Sequence, residues 1–338
     1  MERKLRVGHI GTRHDHSAGK LECVRKLSDI YEVIGVAEED PEQRKLVLEQ
    51  PPYRDLPFLS VEQMIDAKPD CVLVEGFEYD LPRVALLCVE NGIPVHIDKP
   101  AGMDLPLFRR TLQVASAKGL PVQMAYMYRY NPAVRECLKY VREGRLGDIL
   151  AVTAVMNTGH SAFKRQWLSC FGQGGIMFFL GCHMVDLVHL MQGVPDEIVP
   201  FLSASGAGNT TAVDQGTAIL RYPGGTSIVQ ANACEIGGYG RRQLVVSGTR
   251  GTFEIRPMEC PIQARWSDAA DAYCYEDRHV DLDIPTVARD ARYDEMMTDF
   301  AAMVRGQKEN PFTYEYELQT QQMLLACCGQ PVDFHAGL

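Results

Sequence analysis

A glycine turn with basic and imidazole side chains follows the first apolar run of the sequence. The segment Gly11-Thr12-Arg13-His14-Asp15-His16 lies between a predicted strand and a predicted helix. A dinucleotide-binding fold places its glycine-rich turn at this point and binds the pyrophosphate against the helix N-terminus. The match is partial, because Arg13 occupies the second glycine position and His16 the third. An ordinary strand-to-helix loop explains the segment equally well, although Arg13 could pair with phosphate oxygens.

Glu38 favours the nucleotide-binding interpretation. It ends the second predicted strand, at roughly the distance from the glycine turn where an acidic residue accepts hydrogen bonds from the adenine-ribose hydroxyls. A carboxylate at this point also repels a 2′-phosphate, so the sequence predicts NAD rather than NADP. The alternative is a solvated acid at a strand end, beside Glu39 and Asp40.

The elements expected around these residues alternate short apolar strands with helices, a pattern that produces βαβ units and a parallel sheet. The predicted strands are residues 5–10, 31–37, 71–74, 94–97 and 122–128. The predicted helices are residues 18–27, 42–49, 81–91 and 105–118, with a further helix that starts at the capping box 60–63. Ser17 is expected to cap the first helix. Residues 1–123 are therefore predicted to form a doubly wound α/β domain.

Residues 124–338 are predicted to form an α+β domain with an open, mostly antiparallel sheet. Strand-like runs occur at residues 149–156, 217–222, 226–233, 244–247 and 252–255. Short hairpin-type turns join several of them, which makes those neighbours antiparallel. Helices are predicted at residues 132–143, 183–191, 292–305 and 315–328, and residues 157–167 are expected to be a loop.

Composition limits the class of protein. A chain of 338 residues is long enough for about two domains, and 46% hydrophobic with 23% charged residues is typical of globular proteins. Its 34 Lys and Arg against 44 Asp and Glu give a formal net charge of -10, which disfavours nucleic acid and anionic membranes as partners. The sequence shows no signal peptide or membrane span, and its 11 cysteines lack Cys-x-x-Cys spacing. A cytoplasmic protein is expected, with reduced core cysteines at Cys71, Cys88, Cys182, Cys327 and Cys328.

Two further segments resemble motifs of a known family. Val95-His96-Ile97-Asp98-Lys99-Pro100 resembles the Glu-Lys-Pro motif of the glucose-fructose oxidoreductase, inositol dehydrogenase and rhizopine-catabolism (Gfo/Idh/MocA) family, with Asp98 in place of the glutamate. Gly174-Gly175 and Gly181-Cys182-His183-Met184-Val185-Asp186 are similar to its Gly-Gly and Gly-x-His-x-x-Asp segment. Other segments in family order are Tyr128-Arg129-Tyr130-Asn131-Pro132, Gly144-Arg145-Leu146-Gly147, Gly248-Thr249-Arg250-Gly251 and the helix around Phe300. The chain is therefore identified as a member of this family.

The resemblance implies an N-terminal Rossmann domain that binds NAD or NADP, and a second domain whose open sheet serves the substrate and the contacts of a homodimer or homotetramer. It implies that the Lys99 ammonium stabilises a developing alkoxide beside the nicotinamide. It also implies that His183 is the general acid or base. The expected cofactor-binding residues are Gly11, Thr12, Arg13, His14, Glu38, Glu75 and Lys99. The expected substrate contacts are Tyr128, Arg129, His160, Trp167 and Phe179.

Phe179 departs from the family pattern. The family commonly places an aspartate one helical turn before the catalytic histidine, where it can orient the imidazole. Asp186, one turn beyond His183, is the expected substitute and is included among the catalytic residues. Asp186 and His189 fan around the helix, so no metal site is expected from them.

The leading hypothesis is an NAD-dependent oxidoreductase that acts on a hydroxyl or carbonyl carbon of a sugar, cyclitol or related polyol. One alternative is a lyase or glycosidase that uses bound NAD transiently. A catalytically weakened NAD-binding sensor is the other, and it is suggested by Phe179 and Arg13.

Overall fold

The computed structural model describes residues 2–259, 261–271 and 278–338. The chain forms two compact units. The first unit comprises Met1–Met127, Ala288–Leu318 and Gly337–Leu338, and the second comprises Tyr128–Val287 and Gln319–Ala336. The compact units therefore differ from the continuous segments 1–123 and 124–338, because residues 288–318 pack with the start of the chain. The assignment of cofactor and substrate roles to two domains stays a prediction.

The first unit is built on a parallel sheet of six strands. In chain order these are β1 Leu5–Ile10, β2 Tyr31–Ala37, β3 Phe58–Leu59, β4 Cys71–Val74, β5 Val95–Ile97 and β6 Val122–Met124. The helices between them are α1 Ser17–Lys26, α2 Pro41–Leu48, α3 Val61–Asp66, α4 Leu81–Glu90 and α5 Leu105–Lys118. The strand order β3-β2-β1-β4-β5-β6 is that of a doubly wound dinucleotide-binding sheet. All four residues of β4 are fully buried, as expected for a central strand covered on both faces.

The second unit contains a mixed sheet of eight strands, in the order β14-β13-β12-β11-β7-β10-β9-β8. The strands are β7 Ile149–Val155, β8 Glu197–Ser203, β9 Gln215–Tyr222, β10 Gly225–Asn232, β11 Gln243–Gly248, β12 Gly251–Ile255, β13 Ala264–Asp268 and β14 Val280–Leu282. Its helices begin with α6 Pro132–Arg142, α7 Ala162–Trp167 and α8 Cys182–Gln192. Among the described strands of this second sheet, only β7 and β10 pair in parallel. The predicted fold class is confirmed for both sheets.

Two helices close the chain, α9 Asp294–Val304 and α10 Tyr314–Cys327. Helix α9 packs in the first unit, where the Tyr31 hydroxyl donates to the carbonyl of Met297 at 2.6 Å. Within the residues that the structure describes, no helix is both long and apolar enough to cross a membrane. Cys71, Cys88, Cys182, Cys327 and Cys328 are buried thiols outside any disulfide, which agrees with their interpretation as reduced core residues.

Two local predictions are wrong. Ser17 does not cap α1, because His16 is the N-cap and the Ser17 hydroxyl is buried 2.8 Å from both His9 Nε2 and the Tyr53 hydroxyl. Residues 157–167 are not all loop, since Ser161 caps the short helix α7 by accepting a hydrogen bond from the Lys164 backbone. In both places a serine hydroxyl makes a hydrogen bond that the pattern of polar and apolar residues does not predict.

Candidate cofactor and catalytic sites

The turn after β1 requires a glycine at residue 11. Gly11 has a φ of +86°, and a Cβ there would lie 2.3 Å from the Gly76 Cα in the loop after β4. A Cβ on Gly76 would instead meet no atom within 4 Å. Glycine at position 11 therefore lets the two loops approach each other, and the space beside Gly76 stays open for a ligand.

A cavity of about 290 Å³ opens at this point of the first unit. Its lining residues come from the ends of β1, β2 and β4 and from the start of α4: Ile10, Gly11, Arg13, Ala37, Glu38, Glu39, Asp40, Val61, Gly76, Phe77, Asp80, Arg83 and Val84. Doubly wound sheets bind ligands beyond the carboxyl ends of their strands, where the strand order reverses. In this sheet that point lies between β1 and β4. The cavity therefore fits the adenosine half of NAD or NADP.

Glu38 lines this cavity and also holds the turn. One carboxylate oxygen accepts hydrogen bonds from the Thr12 backbone at 3.0 Å and the Thr12 hydroxyl at 2.7 Å. The other oxygen accepts from the Asp40 backbone at 3.0 Å. A carboxylate has about four acceptor positions, so about one stays available to a ribose hydroxyl. Arg13, at the second glycine position, forms an ion pair with Asp40.

A buried ionic network lies behind the turn. Lys20 on α1 pairs with Glu75 at 2.9 Å and with Asp98 at 2.7 Å, and all three side chains are fully buried. Burial raises the pKa of Glu75 well above its usual range. Burial also opposes ionisation of Asp98, but His14 and Lys20 hold the pKa of that carboxyl well below its usual range. Glu75, an expected cofactor ligand, is thus a partner of Lys20.

The network also fixes the backbone at Lys99, directly after β5. The Lys99 amide donates to Asp98 Oδ1 at 2.7 Å, and the Lys99 carbonyl lies 3.0 Å from His14 Nε2. Sequence reasoning placed His14 and Lys99 among the cofactor residues but missed Lys20. The position of Lys20 on the inward face of helix α1 could have indicated its role, because a buried lysine needs a carboxylate partner.

In the second unit, His183 lies in the first turn of α8 and is 2% exposed. A single π-helical turn, Met177–Gly181, precedes α8, a feature that is frequent at functional sites. The edge of the Tyr128 ring meets the His183 ring, with centroids 5.0 Å apart and planes at 85°. The structure therefore brings two of the predicted site residues together.

Two residues that the sequence did not single out hold Tyr128 in place. The Tyr128 hydroxyl donates to the Glu259 carboxylate and accepts from Arg242 at 3.3 Å. Arg242 and Glu259 pair with each other at 2.8 Å. Burial raises the pKa of Tyr128 well above its usual range, so this hydroxyl stays protonated. These partners are more than 100 positions away in the chain, and no local motif marks them.

Asp186 and Arg129 form a buried ion pair in the same unit. Arg129 Nε donates to both carboxylate oxygens at 3.1 Å, and a terminal nitrogen donates to Oδ1 at 2.7 Å. Both side chains are at most 2% exposed. On the same helix, His189 Nδ1 lies 2.8 Å from the Thr320 hydroxyl, and burial together with the Arg129 charge lowers the pKa of His189 to about 4. Arg129, an expected substrate contact, therefore neutralises Asp186.

The remaining predicted substrate residues surround an aromatic cluster. The Trp167 ring meets the Phe179 ring at 5.1 Å and the Phe171 ring at 5.0 Å, in both cases edge to face. The Lys164 ammonium lies 3.7 Å from the Trp167 ring centroid. The backbone carbonyl of His160 accepts a hydrogen bond from Arg165 of α7 at 2.6 Å, which holds His160 beside this helix. Phe179 thus places an apolar ring one helical turn before His183.

Comparison with known proteins identifies the family. The GFO/IDH/MocA C-terminal domain model matches residues 134–254, which include α8 and the strands from β7 to most of β12. Over residues 134–254 the chain thus belongs to the GFO/IDH/MocA family of oxidoreductases. The family membership predicted from the sequence is thereby confirmed.

Among the curated relatives of this chain are trans-1,2-dihydrobenzene-1,2-diol dehydrogenases. The Bos taurus enzyme is 28% identical over 233 residues, which cover 67% of this chain and 66% of that protein. The Sus scrofa enzyme is 30% identical over 185 residues, which cover 53% of this chain and 52% of that protein. These matches thus span between about half and two thirds of the relatives' length.

Solved structures share the fold of this chain over nearly its full length. Levoglucosan dehydrogenase in its apo form has a TM-score of 0.82 at 16% identity, with 97% of this chain and 96% of that chain covered. An Agrobacterium radiobacter oxidoreductase in complex with NAD+, L-tartaric acid and magnesium has a TM-score of 0.81 at 14% identity, with 98% and 99% covered. At these identities the likeness establishes the fold.

Proposed function

We propose that this chain is an NAD-dependent dehydrogenase that acts on a hydroxyl or carbonyl carbon of a sugar, cyclitol or related polyol. The observation that carries the proposal is the cavity at the β1/β4 switch point, lined by Gly11 and Glu38, in a member of this family. The dihydrobenzenediol named in the relatives is a cyclic molecule with neighbouring hydroxyl groups, as are cyclitols and most sugars. This shared chemistry supports a cyclic vicinal diol as the substrate class.

The charges of the cavity favour NAD over NADP. Four carboxylates, Glu38, Glu39, Asp40 and Asp80, line it against the two guanidinium groups of Arg13 and Arg83. Asp40 pairs with Arg13 and so weakens its attraction for a phosphate. A 2′-phosphate adds negative charge to an already acidic site. Gly11, Thr12 and Glu38 would hold the adenosine half, and the bound nicotinamide supplies the hydride acceptor or donor.

The catalytic groups in this proposal are His183, which transfers the proton, and Lys99, which stabilises charge. His183 takes the hydroxyl proton when the substrate is oxidised and returns it in the reverse direction. The Lys99 ammonium stabilises the negative charge that develops on the substrate oxygen. The contacts of Asp98 and His14 with the Lys99 backbone, and of Tyr128 with the His183 ring, support these roles, because preorganised groups lose less free energy when the substrate binds.

Assembly as a homodimer or homotetramer through the sheet of the second unit belongs to the same proposal. Val199 on β8 and Ile228 on β10 both pair with Ile219 on β9, so the three side chains share one face of the sheet. Val199 and Ile228 are each 38% exposed, and Phe201 on β8 is 55% exposed. These exposed apolar side chains support a self-association surface.

An activity panel tests the proposed function. The purified chain is mixed with NAD+ or NADP+ and cyclic vicinal diols, and the absorbance of the reduced nicotinamide is followed. On an accepted substrate, Lys99→Met and His183→Gln should each lower kcat by ~10²-fold or more. The matched control His335→Gln, at an exposed histidine, should keep the parental rate.

The panel also separates the alternatives. Product formation without net reduction of the nucleotide would identify a lyase or glycosidase instead. Nucleotide binding with no turnover on any substrate would favour a sensor. Near-parental rates in either active-site variant would remove that residue from the mechanism.

A further inference from the structure

Two histidines of the turn and the aspartate before Lys99 lie close together in the first unit, at the edge of the buried ionic network. One potential ligand atom from each of His14, His16 and Asp98 lies within 4.8 Å of the other two. His14 Nδ1 is 2.9 Å from Asp98 Oδ2, and His16 Nδ1 is 3.3 Å from Asp98 Oδ1. The side chains of His14 and Asp98 are fully buried, and that of His16 is 17% exposed.

These separations fit a first-row metal ion. Nitrogen and oxygen ligands bind Zn²⁺ at about 2.0–2.2 Å, so neighbouring ligand atoms of a tetrahedral or octahedral site lie roughly 3.0–3.5 Å apart. Both measured separations from Asp98 lie at or close to this range. Two imidazoles with one carboxylate is also a ligand set that suits zinc and other divalent transition ions better than magnesium or calcium.

The hydrogen bonds of His14 also support metal binding. Its Nε2 faces the Lys99 carbonyl at 3.0 Å, and a carbonyl oxygen only accepts, so this nitrogen carries a hydrogen. In a neutral ring the other nitrogen, Nδ1, then presents a lone pair. That nitrogen accepts a hydrogen bond from the His16 backbone at 3.2 Å, yet it also lies beside Asp98 Oδ2. Nδ1 and Asp98 Oδ2 are thus close enough to bind one metal ion together.

Metal-binding histidines characteristically donate their second ring hydrogen to a carbonyl or a carboxylate. His14 has this arrangement toward Lys99.

The surrounding charges accommodate a cation. Lys20 contacts Asp98, but it also pairs with Glu75, so its ammonium is shared between two carboxylates. A third carboxylate, Glu78, is 2% exposed, with one oxygen 3.6 Å from His14 Nε2. Its other oxygen has no hydrogen-bond partner among the described residues. A buried carboxylate oxygen in this state has an acceptor position for a water or a cation.

We propose that His14, His16 and Asp98 bind a divalent transition-metal ion of the zinc class, with Glu78 as the nearest additional carboxylate. From the sequence no metal was expected at Asp186 and His189, whose side chains fan around their helix, and the set of His14, His16 and Asp98 was not recognised because Asp98 is more than 80 positions from the two histidines. The inference goes beyond the proposed dehydrogenase function, which requires no metal, and it stands or falls independently of that function.

Direct metal binding tests the proposal. The full chain is stripped with a chelator, titrated with Zn²⁺ in the presence of excess Mg²⁺, and then titrated with Co²⁺ while its visible absorption is recorded. The expected result is saturation at a single equivalent per chain, with a Co²⁺ spectrum typical of nitrogen and oxygen ligands. His16→Gln should weaken Zn²⁺ binding by at least ~10-fold, and the control His335→Gln should leave it unchanged.

Asp98→Asn should also weaken Zn²⁺ binding, and thermal unfolding shows whether that variant folds. If it does not, His16→Gln still decides the question, since the His16 side chain is partly exposed. Absence of Zn²⁺ binding, or equal affinity in His16→Gln and the parent, would overturn the proposal. Titration with NAD+ in parallel reports on the cofactor site separately.

Discussion

The buried pair of Arg129 and Asp186 makes a sharp prediction about stability. Its side chains are 2% and 1% exposed, and the guanidinium donates to both carboxylate oxygens. Asp186→Asn keeps the shape of the side chain but removes its charge. The buried Arg129 guanidinium then loses the charge of Asp186, and water cannot reach it to compensate.

The expected magnitude follows from the geometry. Breaking one partner of a buried ion pair costs ~3–5 kcal/mol of the free energy of unfolding. The asparagine carbonyl can still accept from Arg129, so we expect the lower end, ~3 kcal/mol. At roughly 2–4 °C per kcal/mol for a unit of this size, the unfolding midpoint should fall by about 6–12 °C.

Thermal and urea unfolding monitored by circular dichroism measure this loss. Glu197→Gln is the matched control, because Glu197 pairs with Arg221 at 2.8 Å in the same unit but with side chains 52% and 61% exposed. That exposed pair should contribute less than ~1 kcal/mol. Replacing both partners, in Arg129→Met with Asp186→Leu, should recover much of the loss, since both charges of the pair are removed together.

Two results would refute this reasoning. One is a loss in Asp186→Asn no larger than in Glu197→Gln. The other is a double variant that is no more stable than the single one. The first would mean that the Arg129 charge reaches solvent, and the second that Arg129 contributes mainly through other contacts.

Two further predictions concern stability and the turn. Burial lowers the pKa of His9 to about 3 and that of His189 to about 4, against about 6.5 in the unfolded chain. Both rings are therefore neutral in the folded state. Stability is fully present above about pH 6.5 and falls as the pH drops toward 4, because only the unfolded chain takes up these protons. Urea midpoints at about pH 7.5 and 5.5 should show the decline, and equal midpoints would contradict it. Gly11→Ala should abolish NAD+ binding, because the new Cβ would drive the turn away from Gly76. The control is Gly92→Ala, where φ is also positive, at +79°, but a Cβ would meet no atom within 4 Å, so its NAD+ affinity should stay at the parental value. Similar NAD+ affinities of the two variants, measured by titration, would contradict this prediction.

The fold was largely predictable because its strands are short apolar runs with polar boundaries. The bounds of β1, β2, β4 and α5 agree with the prediction residue for residue. Strand β8 was missed because it is an edge strand with alternating exposure and a proline at residue 200, a pattern that resembles a loop. Helix α7 was missed because its six residues carry too little periodicity to indicate a helix.

The site was predictable only where a motif is local. The Gly11 turn and Glu38 follow from their positions in a βαβ unit, and the structure places both at one cavity. The partners of Tyr128 and the pairing of Lys20 with Asp98 depend on tertiary contacts between distant segments. Asp186 shows the limit most clearly, because helical spacing suggested His183 as its partner, while the fold places the Arg129 guanidinium against its carboxylate.

Calorimetric titration of the chain with NAD+ and NADP+ is the most direct test of the central claim. We expect a single NAD+ site per chain and at least ~10-fold weaker binding of NADP+, a difference of ~1.4 kcal/mol. Glu38→Gln should narrow that ratio, while the control Glu90→Gln, at an exposed residue of α4, should preserve it. Failure to bind either nucleotide would contradict the assignment of the cavity, and tighter binding of NADP+ would contradict the role of Glu38.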